Sequence, residues 1–395
     1  MEIIYSGFDT IVFAVQGALS AQAIERMEHV KDSAEKDQVD VQYPLEGSNK
    51  GALLSPNGRK GGYAFIISTG PTGQNIAIKN NLARSEWNAH VKLRSLGLAT
   101  LGWEEAVEDA LSTLKALEFH VTGISLNRVD YCMDFLNTPI TLDPRDFVAH
   151  SRVKKTAHCE ELADEDGQAS TCNTSKNRSK EVTAIMRSEV FEGITIGKMP
   201  GRQVIVYDKR REVIDKRSFM WFKIWGIDRL DVTQHVHRIE LRAGKDELMK
   251  YDIRAFDDFK TKIGDVFVKA TESVRMIDPQ STDTNISRKA VHPTWKHVQE
   301  HVKTQLFDYV SNCTPSDVLH VIRETKTREY LAQILGNIAG YAVCKDVKFE
   351  DIARVIPDFI RAELEVATNN PDHPFRKNYV KARDRLWFIE KASPA

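Results

Sequence analysis

Apolar and polar positions alternate most clearly over Thr122–Phe135. There Val129, Tyr131, Met133 and Phe135 interleave with Arg128, Asp130, Cys132 and Asp134. Side chains at i, i+2 and i+4 of a strand share a face, so this run predicts a strand with one apolar and one charged side. Gly62–Thr69 and Asn75–Lys79, flanking Gly70-Pro71-Thr72-Gly73, predict a hairpin whose glycines supply positive φ. A third strand is expected at Trp87–Arg94. Residues 1–20 read as a strand followed by a helix, with Asp9-Thr10 between short apolar runs. From Arg26 to Lys50 the pattern reads as a helical portion and then a loop around Pro44 and Gly47. Arg202–Tyr207 and His235–Arg242 predict two more strands. A charged turn, Asp208–Glu212, and an aromatic segment, Phe219–Trp225, separate them.

Helical spacing takes over elsewhere. Trp103 opens an amphipathic helix carrying Ala106, Leu111, Leu114 and Leu117, with Thr100 or Gly102 as the candidate cap. Phe256, Phe259, Ile263, Val266 and Phe267 form an apolar stripe within a helical stretch from Gly244 to Ala270. Ser151–Ser179 is polar and short of large apolar residues, which predicts a loop or inserted arm. A stretch rich in Pro, Ser, Thr and Asn follows at 278–294 and reads as a linker. Beyond it, Trp295–Cys313, Ser316–Cys344 and Phe349–Thr368 read as three helices, with Thr314-Pro315-Ser316-Asp317 as a helix start. The expected fold class is α+β. An antiparallel sheet domain with flanking helices spans 1–277, with its insert at about 151–179, and a small helical domain spans 295–395.

Composition narrows the class. At 395 residues the chain can fill more than one core. Hydrophobic residues at 42% and charged residues at 28% are those of an ordinary folded protein. No apolar run approaches the roughly 20 residues of a membrane span. The start, Met1-Glu-Ile-Ile-Tyr5, lacks the basic and apolar regions of a secretory signal. Five cysteines without regular spacing fit a reducing compartment, so the expectation is a cytoplasmic protein with no membrane partner. A net charge of -1 argues against a general nucleic-acid coat. Local clustering matters more, and Lys176, Arg178, Lys180, Arg187, Lys198, Arg202, Lys209, Arg210, Arg211, Lys216 and Arg217 predict one basic face.

Carboxylates and a tyrosine carry the candidate chemistry. Two carboxylates about 7 Å apart along one strand face, Asp130 and Asp134, can share a divalent cation if the strand twists or one acts through water. Hard oxygen ligands suit Mg²⁺ or Mn²⁺. Glu240, flanked on its own face by Arg238 and Arg242, is the candidate third ligand, and Arg238 is placed to pair a phosphate or steady a carboxylate. The bland alternative is a solvated strand face held by Arg–Asp pairs. Tyr207 ends its strand beside Lys209, Arg210 and Arg211, cations expected to favour its phenolate and the charge of a transition state. The alternative there is an ordinary interfacial tyrosine; Tyr131 lies opposite the aspartates and competes poorly. His235-Val236-His237 has a form used by single-strand endonucleases, yet both histidines face away from Glu240 and no Tyr-x-x-Lys helix follows. His237 is kept in reserve. His158-Cys159 with Cys172 matches no paired zinc spacing, and Gly193–Lys198 lacks the ending of a phosphate-binding loop.

Several segments in order carry a family resemblance. They are Ser6–Thr10; Gly61–Ala64 with Thr69–Pro71; Arg128–Phe135; Gly193–Gly197; Val206–Lys209 with Glu212; Arg238–Arg242; and Asn285–Arg288 with His292–Trp295. Over roughly residues 1 to 300 the chain resembles the Rep-trans family of replication initiation factors, which comprises rolling-circle initiators of plasmids and phages and related relaxases of integrative elements. The resemblance implies a tyrosine, placed at Tyr207, that attacks origin DNA and leaves a 5′-phosphotyrosine and a 3′-hydroxyl primer. Lys209 and Arg238 would assist it. It implies Mg²⁺ or Mn²⁺ at acidic residues, placed on Asp130, Asp134 and Glu240. Arg128, Lys198, Arg202, Arg210 and Arg211 are the expected DNA contacts. A predominantly β catalytic domain, a homodimer and a host helicase partner are implied as well. A relaxase with the same chemistry, a DNA-binding regulator without it, and a nuclease using water as nucleophile are the competing readings.

Overall fold

The computed structural model describes residues 2–45, 47, 51–149, 192–278, 280–285, 288–308 and 313–389, with strand backbone alone at 155–158 and 182–183. Most of Ser151–Ser179 lies outside the described residues, as do Cys159, Cys172, Lys176, Arg178, Lys180 and Arg187.

The strands are β1 (Glu2–Leu19), β2 (Val41–Pro44), β3 (Gly51–Leu54), β4 (Tyr63–Ser68), β5 (Gln74–Lys79), β6 (Trp87–Leu93), β7 (Phe119–Leu136), β8 (Phe147–Ala149), β9 (Lys155–His158), β10 (Val182–Thr183), β11 (Gly193–Gly197), β12 (Arg202–Asp208), β13 (Val236–Gly244) and β14 (Val274–Met276). The helices are α1 (Ala21–Asp37), α2 (Ser95–Ala116), α3 (Lys209–Asp215), α4 (Met220–Trp225), α5 (Lys245–Lys250), α6 (Phe256–Ser273), α7 (Pro293–Thr304), α8 (Pro315–Cys344), α9 (Ile352–Asn369) and α10 (Pro374–Arg385). Twelve strands form one sheet in the order β10-β9-β11-β12-β13-β7-β1-β6-β5-β4-β3-β2. Each ladder from β11 to β2 is antiparallel, so the expected α+β class with flanking helices is observed.

Two long strands, β1 and β7, form the spine. Alternation in residues 1–20 does not stop at Asp9, and the expected strand-then-helix is one strand of 18 residues. Its register against β7 shifts between Phe8 and Thr10, which makes Asp9 the extra residue of a bulge. A bulge absorbs a misplaced polar residue without ending the strand and re-aims its side chain. The expected loop near Pro44 is instead the strand pair β2–β3, and the helix before it runs from Ala21. The helix expected to open at Trp103 begins at Ser95, and Gly102, at φ 76°, is a kink inside it rather than a cap. Gly244–Ala270 divides into α5 and α6, with the predicted stripe intact on α6.

One face of the sheet, with Ile11, Phe13, Val129, Tyr131, Met133, Phe135, Ile239 and Leu241, packs beneath α1, α2, α6 and α7. Trp295 is fully buried there and donates its indole N–H to the Thr271 carbonyl at 2.9 Å. The helix expected to open a separate domain therefore belongs to the main core, and the stretch 278–294 does not separate two cores. Further on, Thr314 and Asp317 cap α8 reciprocally with Pro315 in its first turn, as that sequence predicts. A fourth C-terminal helix, α10, was not expected. On the other sheet face α3, α4 and the start of α8 cover the Asp134 end, through Trp221, Phe222, Trp225 and Val318, and Trp387 packs against Gly51 of β3. No helix of the described residues is long and apolar enough to cross a membrane.

Candidate active site

The partly covered face carries the chemistry. Strand register places Asp130 opposite Arg242, Cys132 opposite Glu240 and Asp134 opposite Arg238, and then Tyr207 opposite Arg238 on the next strand. The predicted shared face of Arg128, Asp130 and Asp134 is therefore observed, with Tyr131 on the other side bonded to His301 at 3.0 Å. Spacing along the strand corrects the cation expectation. Four residues separate Asp130 and Asp134 by about 13 Å, not 7 Å.

Their partners differ as well. Arg238 is fully buried and grips Asp134 with two N–H groups, at 2.6 and 2.8 Å. The Trp225 indole donates to the same carboxylate at 2.7 Å, and Arg238 reaches Asp9 in the bulge at 2.7 Å. Trp221 lies over the guanidinium, 4.4 Å from ring centre to Cζ. Asp134 is an anchor for Arg238, sealed by α4. Asp130 and Glu240 form a separate group. Arg128 holds Asp130 at 2.6 Å, and Arg242 donates to Glu240 at 2.7 Å while lying 3.7 Å from Asp130. Burial pushes the Asp130 carboxyl up to about 7; the Arg128 hydrogen bond opposes this and the Glu240 charge adds to it. Among the described residues no group of three metal-ligating side chains converges. The three-carboxylate cation set does not fit this arrangement, because Asp134 lies four residues along the strand from Asp130 and is saturated with donors from Arg238 and Trp225. No step through a cation is derived.

Tyr207 is half-buried and lines a cavity of about 290 Å³ with Gly193, Arg211, Glu212, Lys216 and Arg242. Gly193 sits directly opposite Tyr207, where a Cβ would come within 3.0 Å of the tyrosine Cβ, so glycine keeps this side of the ring open. The expected charged turn after Tyr207 is the first turn of α3, capped by Asp208 through the Arg211 amide. That conversion from strand to helix brings Lys209 back over the tyrosine, 5.6 Å from its ring centre and 5.1 Å from that of Trp221, with its ammonium paired to Glu212.

The expectation that cations lower the Tyr207 pKa is corrected. Burial pushes the phenol well above its ordinary value; Arg238 pulls it down, and Glu240, Glu212 and Asp9 push it up again. Among the described residues no hydrogen bond involves its hydroxyl.

Of the expected DNA contacts, Lys198 is exposed at the β11–β12 turn. Arg202 turns to Glu247 and Ser273, at 2.8 Å each. Arg210 clamps the Arg229 and Asp231 carbonyls at 3.1 Å. Arg211 pairs with Glu192 at 3.0 Å beside the cavity. His237 faces away from Glu240 as expected, with Nδ1 buried and without a hydrogen-bond partner among the described residues. Sequence reasoning missed the parts played by Asp9, Trp225, Glu212 and Gly193. Only Arg242 left a usable signal, as the third charged position of the β13 alternation.

No family model matches the chain, and no curated protein matches it. Among solved structures it is similar to the rolling circle replication initiator protein from Geobacillus stearothermophilus, with a TM-score of 0.40 and 12% identity over 76% of this chain and 97% of that chain. At that distance the site's own geometry has to carry any chemical conclusion.

Proposed function

We propose that the chain is a DNA-nicking and strand-joining enzyme that initiates rolling-circle replication, with Tyr207 as nucleophile. The observation that supports this reading is a half-buried tyrosine on the polar sheet face opening into a cavity where Arg211, Lys216 and Arg242 stand among the carboxylates Glu192, Asp208, Glu212 and Asp215. Tyr5 and Tyr131, by contrast, are buried. A phosphodiester entering the cavity would exchange the solvent-facing partners of these cations for its own oxygens, and they would offset charge developing in the transition state. The phenol Oη forms a bond to phosphorus as the bond to the 3′ oxygen breaks. The phenolic proton passes to Glu240 or Glu212, two of the carboxylates whose charge raises its pKa, and the leaving 3′ oxygen takes a proton from solvent to depart as a hydroxyl. The product is a 5′-phosphotyrosine, and the reverse reaction reseals the strand.

The test is an adduct assay on supercoiled DNA carrying the element's own origin, with and without Mn²⁺. A covalent protein–DNA band is expected, and Tyr207→Phe abolishes it. A band that survives the substitution moves the nucleophile elsewhere. Nicking with no adduct indicates a water nucleophile, and specific binding with no nicking leaves a DNA-binding regulator.

A further inference from the structure

The polar sheet face does not end at Asp130. Toward β4 the strand positions facing the same way include Val12, Ala14, Gln16, Ser68, Asn75, Ala77, Lys79, His90 and Lys92, and none of these is a carboxylate. Lys92 and Arg128 both stand opposite Val12, so the cations on this side continue into the Asp130–Arg242 group. Aromatic rings lie among them. The Tyr63 ring has Lys79 at 5.5 Å and stands 6.2 Å from the His90 ring, centre to centre. Trp87, opposite Gln16, is 40% exposed. Arg59 and Lys92 are exposed; burial first, and then these two cations, hold the His90 imidazole below its ordinary pKa, which keeps it a neutral ring at neutral pH.

Cations beside accessible ring faces are what single-stranded nucleic acid requires: phosphates need the former, and unstacked bases need the latter. A duplex offers no free base faces to such rings. We infer that the open half of this face, built from Arg59, Tyr63, Lys79, Trp87, His90 and Lys92, binds single-stranded DNA and leads the strand across β1 and β7 to the Tyr207 cavity. Tyr63 and Tyr207 are six strand spacings apart, about 29 Å, so the track holds several nucleotides. Its direction toward Tyr207 rests on the nicking reading; its binding of single strands does not.

The experiment uses the full chain carrying Tyr207→Phe, so that no covalent capture contributes. Fluorescence anisotropy follows a labelled oligothymidylate over a salt series. Lys79→Gln with Lys92→Gln is expected to weaken binding and to reduce the slope of log affinity against log salt by roughly 1.4, two single-strand phosphates' worth. Tyr63→Leu should weaken binding about tenfold with the slope unchanged, and Tyr63→Phe should retain it. Thermal melting checks that each variant is folded. Unchanged affinity and slope in the folded lysine variant would overturn the track. An equal loss on duplex of the same length would overturn the single-strand assignment. A missing adduct in the origin assay alongside intact oligonucleotide binding would sink the nicking reading and leave the track standing.

Discussion

Asp130 and Asp134 are both fully buried on one face of β7, four residues apart, yet they are surrounded differently. Asp134 accepts two hydrogen bonds from Arg238 and one from Trp225, under the cover of α4. Around Asp130 the partners are Arg128 and Arg242, both partly exposed, beside a second carboxylate, Glu240. The first arrangement is a closed anchor that ties β1, β7 and β13 to α4. The second borders an open cavity and contains groups that can change partner. Residue type and strand position are the same in the two places, so what covers the strand decides the role.

Breaking the anchor should have the largest effect. Arg238→Ala leaves Asp134 buried without its counter-charge, and the expected loss is about 3–5 kcal/mol in urea denaturation. Asp134→Asn should likewise cost stability while leaving the Mn²⁺ concentration dependence of any nicking unchanged. If it shifts that dependence in a protein of normal stability, Asp134 is a ligand and the comparison fails. Trp225→Phe keeps the ring and removes one N–H donor to a buried carboxylate. A loss of roughly 1.5–3 kcal/mol is expected, since hydrogen bonds to charged groups fall in that range.

The anchor shows what can be read in sequence and what cannot. Alternation through Arg128–Phe135 predicts which side chains share the polar face, because the period of a strand is local. It cannot predict that Trp225, 91 residues away, donates to Asp134. Nor does it reveal the bulge that turns Asp9 toward Arg238, since a bulge leaves no mark in a run of mixed apolar and polar residues. Tyr207 was legible as a strand end beside cations, but Asp208 starts a helix where a turn was expected, and that reverses the direction of the chain and of Lys209. The basic cluster that stands out in sequence lies partly beyond the described residues, and two of its arginines, Arg202 and Arg210, are occupied by Glu247 and by backbone carbonyls. Lys79 and Lys92 are inconspicuous in sequence, one to a strand; only the antiparallel pairing of β5 with β6 brings them onto one face.

The open corner makes a smaller, pH-dependent prediction. Folding raises the Asp130 carboxyl from 3.8 to about 7. Between those values the folded protein keeps a proton that the unfolded chain has released. This contribution to stability is complete below about pH 4 and is lost as pH rises through 7. Asparagine cannot titrate, so the stability of the native chain relative to Asp130→Asn should fall between about pH 4 and pH 7 and level off above that. A difference that stays constant or reverses would make Asp130 an ordinary ionised partner of Arg128.

The smallest stability effect belongs to Arg211, whose guanidinium is half exposed at the cavity edge and paired with Glu192 and Asp215. Exposed pairs of this kind contribute about 0.2–1 kcal/mol, so Arg211→Gln should unfold at nearly the same urea concentration as the native chain. Its adduct yield should nevertheless fall, because one cation facing the incoming phosphate has gone, while Arg238→Ala loses fold and adduct together. Equal adduct yields in Arg211→Gln and the native chain would mean that the cavity cations are as structural as Arg238. The open corner would then differ from the closed one in exposure and not in function.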